Sequence, residues 1–275
     1  MSGIALSLAL GAAAVHAFWN VLLARAKDAQ AAAAVAVPLA IILYAPVAAM
    51  RWRIDWAHVG PYLAASSSFQ LIYFILLVAA YQRFELSVVY PLARGLAPVI
   101  VLAAGRLVTS TLPSTLQITA VVVISGGVLL VRGFKRLGHL RDVGLAVAIA
   151  ACIASYTLID KGGLRYADSI VYQELVLIPV AVVYGLTVVR LKGIDPLRAE
   201  LTLSTFFISI AMFGAYALAL AALRLAPAAA VAAVRESSVV IVTILAAVVL
   251  RERVTWVQIV GSACVVGGIA LLARA

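Results

Sequence analysis

Residues 3–23 read GIALSLALGAAAVHAFWNVLL, 21 residues without an acid, lysine or arginine. A hydrocarbon core about 30 Å thick takes roughly 20 residues of helix to cross, so this stretch suffices for one passage. Nine further apolar runs follow, near 30–50, 60–81, 86–105, 113–131, 142–160, 169–189, 202–223, 227–250 and 255–273. In hydrocarbon a backbone must satisfy its own hydrogen bonds, in a helix or a closed barrel, and the alternation of barrel strands is absent. Ten transmembrane helices are predicted, and the fold class is all-α integral membrane. Composition agrees: 65% of the 275 residues are hydrophobic and 12% charged, with a mean hydropathy of +1.14. That excludes a soluble globular domain and leaves no length for a soluble catalytic module. Ala12–Ala14 could belong to a secretory signal, but the run lacks a basic start and has a counterpart later in the chain, so it is kept as helix 1.

The counterpart emerges when the chain is laid over itself with an offset of 141 residues. Gly3 then meets Gly144, Arg83 meets Arg224, Arg94 meets Arg235, Gln117 meets Gln258, and Gly126-Gly127 meet Gly267-Gly268. With 17 arginines in the chain, chance yields about 0.5 arginine matches; the glutamine and glycine pairs in the same register make the repeat. The expected organisation is a first repeat over 1–131, a basic connecting loop over 132–141 and a second repeat over 142–275. Five crossings per half is an odd number, so the halves are inverted with respect to each other. Such repeats place a substrate site near the midplane at their interface and support alternating access.

The net charge of +10 would suggest nucleic acid in a soluble protein. Here the lysines and arginines stand mostly singly between apolar runs and read as anchors beside anionic lipid. The face bearing both termini carries seven of them and the opposite face twelve, including Arg132, Lys135, Arg136 and Arg141. The positive-inside rule therefore favours the central loop on the cytoplasmic side. Cys152 and Cys264 lie inside apolar runs and read as packing residues; neither a disulfide nor a metal site is supported, and no cofactor is implied.

Arg94 lies mid-helix in VVYPLARGLAPV and Arg235 in AAVRESSVV. An arginine at a helix centre costs about 2.5–3.5 kcal/mol on insertion scales and needs a partner or a wet cavity. Two readings stand: capture of a carboxylate, phosphate or phosphonate by paired guanidinium forks, or an internal lock in which Glu236 neutralises one arginine. Glu236, central to its span, is also a candidate for proton coupling, although two nearby arginines oppose its neutral form. Glu174, in VYQELVL, falls near a helix end and reads as solvated or interfacial. Asp160 stands beside Lys161, and a local ion pair is the simplest account of it. His16 and Asn20 in HAFWN are four residues apart on one helical face, which could line a cavity or bond across to a neighbouring helix. Tyr73, Tyr90, Tyr156 and Tyr216 could offer stacking surface with a polar tip or serve as ordinary packing. Ser66, Ser67 and Ser68 support a wet face weakly, since serine also bonds its own backbone. Pro91 and Pro98 flank Arg94 and are expected to bend helix 4. The Gly-Gly pairs let helices 5 and 10 approach neighbours closely, a packing role that could extend to a homodimer.

Ten spans, a 5+5 repeat, HAFWN, VYPLARGLAPV, and VRESSVV followed by RERVTWVQIVGSACVVGGIALL together resemble EamA-type members of the drug/metabolite transporter superfamily. The resemblance covers nearly the whole chain. It implies a basket of helices around a central cavity lined mainly by helices 1, 3, 4, 6, 8 and 9, with helices 5 and 10 to the side, and export or exchange of small metabolites. On that pattern the substrate-binding lining comprises His16, Trp19, Asn20, Tyr73, Tyr90, Arg94, Tyr156, Tyr216 and Arg235. The resemblance also implies cytoplasmic termini, opposite to the charge count. Small multidrug exporters of the superfamily carry a membrane-embedded acid in helix 1, and this helix has none.

The expected function is secondary transport, in the inner (plasma) membrane, of a small anionic or zwitterionic metabolite such as an amino acid, organic acid or phosphonate-like compound, with Arg94 and Arg235 on the anionic group. The alternative is a proton-coupled exporter of cationic or neutral drugs using Glu236. The partners are a small-molecule substrate and the lipid bilayer, not nucleic acid. An intramembrane enzyme is disfavoured: the chain has no HExxH, no GxSxG and no carboxylate pair at helical spacing within a span. A channel would call for a continuous polar stripe or charged ring.

Overall fold

The computed structural model describes residues 1–83, 86–108, 112–132, 140–249 and 254–275. Side chains of some further residues, Tyr90 and Pro91 among them, and most of the basic connecting loop lie outside the described residues. Twelve helices are described: α1 (Gly3–Ala24), α2 (Ala29–Met50), α3 (Trp56–Arg83), α4 (Leu86–Val108), α5 (Thr115–Arg132), α6 (Leu140–Gly163), α7 (Ser169–Lys192), α8 (Asp195–Ala199), α9 (Leu203–Leu225), α10 (Ala228–Arg235), α11 (Ser238–Val249) and α12 (Trp256–Arg274). Among the described residues eight segments are long and apolar enough to cross a bilayer, one of them running Ala228–Leu245 across α10 and α11, and the apolar stretches Leu92–Gly105 and Thr115–Val131 are shorter. Large aliphatic side chains such as Ile42, Ile75 and Val182 face outward, as expected where the solvent is lipid. The protein is an integral membrane protein.

The helices begin where a side chain can satisfy their first amides. Asp28 accepts from the amides of Gln30 and Ala31, Asp168 from Ile170, Thr202 from Thr205, and Thr255 forms a reciprocal box with Gln258. At Asp28 burial pushes the carboxyl up, but Lys192 at 2.5 Å and the two amides outweigh this and hold it below its usual value. Helix α7 ends at Gly193, whose φ of +80° a side chain would strain.

Small residues set the packing. The buried positions of α1 are Ala5, Ala9, Ala12, Ala13 and Ala17, a stripe that brings α1 against α9. In the same way α6 packs on α3. Helix α6 also lies on α4, as α1 does on α10 and α11; α2 lies along α7, and α5 along α12. At the last crossing a Cβ on Gly127 would stand 2.7 Å from the carbonyl oxygen of Gly261, and one on Gly261 would stand 2.7 Å from that of Gly127. Gly126 and Gly267 have nothing within 4 Å of an added Cβ. The contact of these two helices lies within one chain.

One span differs from the sequence reading. The run 227–250 is not a continuous helix: α10 ends at Arg235, and Glu236 and Ser237 form a turn before α11. The amides of Glu236, Ser237 and Val239 bond three residues back rather than four, so the turn is tightened. Arg235 therefore ends a half-helix instead of sitting mid-helix.

Candidate functional site

A cavity of about 170 Å³ lies between α1, α2, α3, α4, α6, α7, α9 and α10. It runs from Arg94, Arg235 and Tyr216 to Leu23 and Ala29, beside the turn between α1 and α2. Seven residues singled out from sequence line it: His16, Trp19, Tyr73, Arg94, Tyr156, Tyr216 and Arg235. Asn20 does not. Its amide donates to the carbonyl of His16 at 2.7 Å, turning the side chain back along its own helix. The side chain of Tyr90 lies outside the described residues.

The two arginines have different surroundings. Arg94 Nε lies 3.2 Å from Glu236 Oε2, with side-chain exposures of 12% and 5%; the tight turn after α10 delivers this carboxylate to α4. Arg94 also holds His16 Nε2 at 3.1 Å. Guanidinium nitrogens only donate, so His16 accepts there through an unprotonated Nε2. Arg235 sits with its Cζ 5.2 Å from the centroid of the Tyr216 ring, in cation–π range, and among the described residues it forms no salt bridge.

The rings of Tyr73, Tyr156 and Tyr216 follow one another edge to face, at 6.3 and 6.2 Å. Beneath them lies Asp160, which is fully buried. It accepts from Ser66 at 2.5 Å, from the hydroxyl of Tyr172 at 3.0 Å and from that of Tyr216. Gln70, on the cavity wall, donates to Ser66 at 3.3 Å. The expected Asp160–Lys161 pair is absent: Lys161 donates to the carbonyls of Leu223 and Ala226. Adjacent residues of a helix point about 100° apart, so the two cannot share a direction. Of the other two serines, Ser67 donates to the carbonyl of Val176 and Ser68 to that of Ala64.

Glu174 also departs from expectation. It lies in the second turn of α7, only 5% exposed, and is therefore neither solvated nor interfacial. Its neighbour Gln173, not singled out from sequence, lines the cavity and donates to the carbonyl of Phe213 at 3.1 Å. Gln173 Oε1 and Trp19 Nε1 have no hydrogen-bond partner among the described residues. Spacing carries a signal for both acid and amide: Asp160 stands four residues after Tyr156, and Gln70, which the sequence reading missed, four after Ser66.

Beyond Asp160, on the termini-bearing face, two loops are tied together. The segment after α2 pairs with the segment after α6 through an antiparallel bridge of Ile54 and Ala167, with Asp55 donating its amide to Tyr166 and Asp168 to Arg53. Arg51 holds the Asp168 carboxylate at 3.1 Å.

A cavity with charged and aromatic lining, enclosed by membrane-crossing helices, is the architecture of a membrane carrier. Residues 141–274 match the EamA-like transporter family, which supports an EamA-type transporter of the drug/metabolite transporter superfamily. No curated protein matches the chain. A solved structure described as "Crystal structure of protein" is similar over 99% of this chain and 98% of its own, with a TM-score of 0.72 at 14% identity. At that identity the likeness shows the fold.

Proposed function

We propose that the protein is a secondary transporter of a small anionic or zwitterionic metabolite, working by alternating access between two inverted repeats, 1–131 and 142–275, joined through 132–141, in the inner (plasma) membrane. The observation that carries this reading is the convergence of Arg94 and Arg235 on one aromatic cavity. Because Glu236 offsets Arg94, Arg235 is the cation left to receive the anionic group, with Arg94 completing the cradle. Trp19 Nε1 is a donor and Gln173 Oε1 an acceptor for the rest of the substrate, and the tyrosine rings suit an ammonium group or an apolar side chain. That mixture favours a zwitterion. The engagement of Glu236 by Arg94 favours this reading over a cation exporter coupled through Glu236.

The helix contacts support the repeat: exchanging α1 with α6 and α9 with α3 maps one packed pair onto the other. In this conformation the cavity faces the side of the α1–α2 turn, and the Asp160 cluster and the Ile54–Ala167 bridge close the other side. Counterflow in proteoliposomes with L-alanine, L-leucine, succinate and methylphosphonate tests the reading. A charge-assisted contact contributes about 1.5–3 kcal/mol, so Arg235→Gln is expected to raise the half-saturating concentration roughly 10- to 100-fold. Equal saturation in wild type and Arg235→Gln refutes the anion-binding role.

A further inference from the structure

Asp160, Glu236 and Glu174 are all buried acids within spans, and their surroundings differ. Asp160 has three hydroxyl donors and Glu236 has Arg94. Neither carboxylate oxygen of Glu174 has a hydrogen-bond partner, and no salt bridge reaches it, among the described residues. Its place on α7 explains why. Ile170, Glu174, Leu177 and Ala181 recur at helical spacing on one face. Ile170, Leu177 and Ala181 pack in an apolar cluster with Val37 and Ala40 of α2 and Phe213 of α9. Glu174 thus shares an apolar seam between three helices.

Among the described residues the charged and titratable groups of the packed helices lie elsewhere; Tyr62 of α3 lies against Tyr166, and Arg190 is in the last turn of α7. On α2, Tyr44 donates to the carbonyl of Ile210, while Asp28 and Arg51, at the two ends, hold Lys192 and Asp168. On α9, Tyr216 is bound to Asp160, and Arg224 lies in the last turn, beside the tied loops. On α3, His58 holds Asp55 at the exposed start, and Tyr73 faces the main cavity. On α7 itself, Tyr172 bonds Asp160 and Tyr184 the carbonyl of Gln30. On α8, Asp195 and Arg198 face each other. None of these contacts supplies a counter-charge to Glu174. A carboxylate without counter-ion or donor in apolar surroundings takes up a proton instead.

We propose that Glu174 is the proton-binding site of this transporter: its carboxyl holds a proton in the present conformation and gives it to water when the α2–α7–α9 seam opens. The flanking residues Gln173 and Leu177 both line the substrate cavity, as do Val37 and Phe213 from the facing helices. A rearrangement of that wall would wet the carboxyl, which links proton release to the transport cycle. The coupling part rests on the transporter reading; the proton site does not.

Infrared difference spectroscopy of the reconstituted full chain, neutral against alkaline, reads buried carboxylic acids without any substrate. The expected result is a protonated-carboxyl band that disappears in Glu174→Gln, shifts in Glu174→Asp and persists in Glu236→Gln. An unchanged band in Glu174→Gln overturns the proposal, as does a wild-type band that titrates with sodium and not with pH. In proteoliposomes, Glu174→Gln is expected to keep L-alanine counterflow while accumulation driven by a pH gradient falls at least tenfold. Wild-type accumulation in that variant overturns the coupling. If wild type carries none of the four probes, the substrate reading fails while the infrared result still decides the proton site.

Discussion

Glu236→Gln isolates the electrostatics of the site. It removes the charge facing Arg94 while keeping the shape of the side chain, and leaves a guanidinium that is 12% exposed without the Glu236 carboxylate. Breaking a buried ion pair from one side costs about 3–5 kcal/mol. Because the cavity wets Arg94, the lower figure applies, and with a shift of 2–4 °C per kcal/mol for a chain approaching this length the melting temperature should fall by roughly 6–12 °C. Arg94→Gln should cost less, because an orphaned carboxylate can take a proton and arginine cannot lose one. The double variant, with both charges gone, should be more stable than Glu236→Gln alone, with a coupling of about 2 kcal/mol. Thermal unfolding of the four proteins purified in one mild detergent measures the cycle. A fall below 2 °C in Glu236→Gln, or a double variant that loses the sum of the singles, refutes the account of Arg94 as a cation held by Glu236.

Two adjacent glycines should respond with opposite sign. Gly127→Ala puts a Cβ 2.7 Å from a backbone oxygen that has no rotamer to retreat into, so α5 and α12 must part by about 0.7 Å at a cost of about 1–3 kcal/mol, whereas Gly126→Ala points into open space and should gain up to about 1 kcal/mol; melting temperatures compare them, and equal shifts refute the crossing geometry. At Asp168 burial raises the carboxyl, but Arg51, the amide of Ile170 and Arg224 outweigh this and hold it below its ordinary value of 3.8. Its contribution is therefore full above 3.8 and lost as pH falls through the lower folded-state value. Asp168→Asn keeps a capping oxygen and should flatten that acid limb in a pH series of melting temperatures, while Asp168→Ala should also lose about 1 kcal/mol at neutral pH.

The apolar run 3–23 and its counterpart at an offset of 141 foreshadow the spans because lipid imposes one requirement on every residue of a crossing. The same rule hides the break at Glu236 and Ser237. The residues on either side are apolar and carry neither proline nor glycine, and the only sign is four polar residues, Arg235, Glu236, Ser237 and Ser238, in succession. Arg94 and Arg235 stand out because a cation within an apolar run demands an explanation. Their division of labour depends on where the carboxylate of Glu236 points after the turn, which no one-dimensional pattern carries. Sequence adjacency points Asp160 to Lys161, although its partners come from α3, α7 and α9. Position alone places Glu174 near a helix end, since α7 starts only five residues earlier, yet its side chain is 5% exposed.

The reciprocal contact of Gly127 and Gly261 has a mechanical consequence. Sliding either helix by one turn along the other would bring Val131 or Val265, on the same faces, into a gap that admits no Cβ, so the two can swivel about the crossing but not translate. Under the proposed alternating access, helices α5 and α12 would act as a stationary brace, and the displacement that exchanges open and shut faces would fall on the others. Reporter groups at the outward positions Gly126 and Gly267 would keep a constant separation throughout the cycle, giving an internal ruler against which motion elsewhere can be gauged.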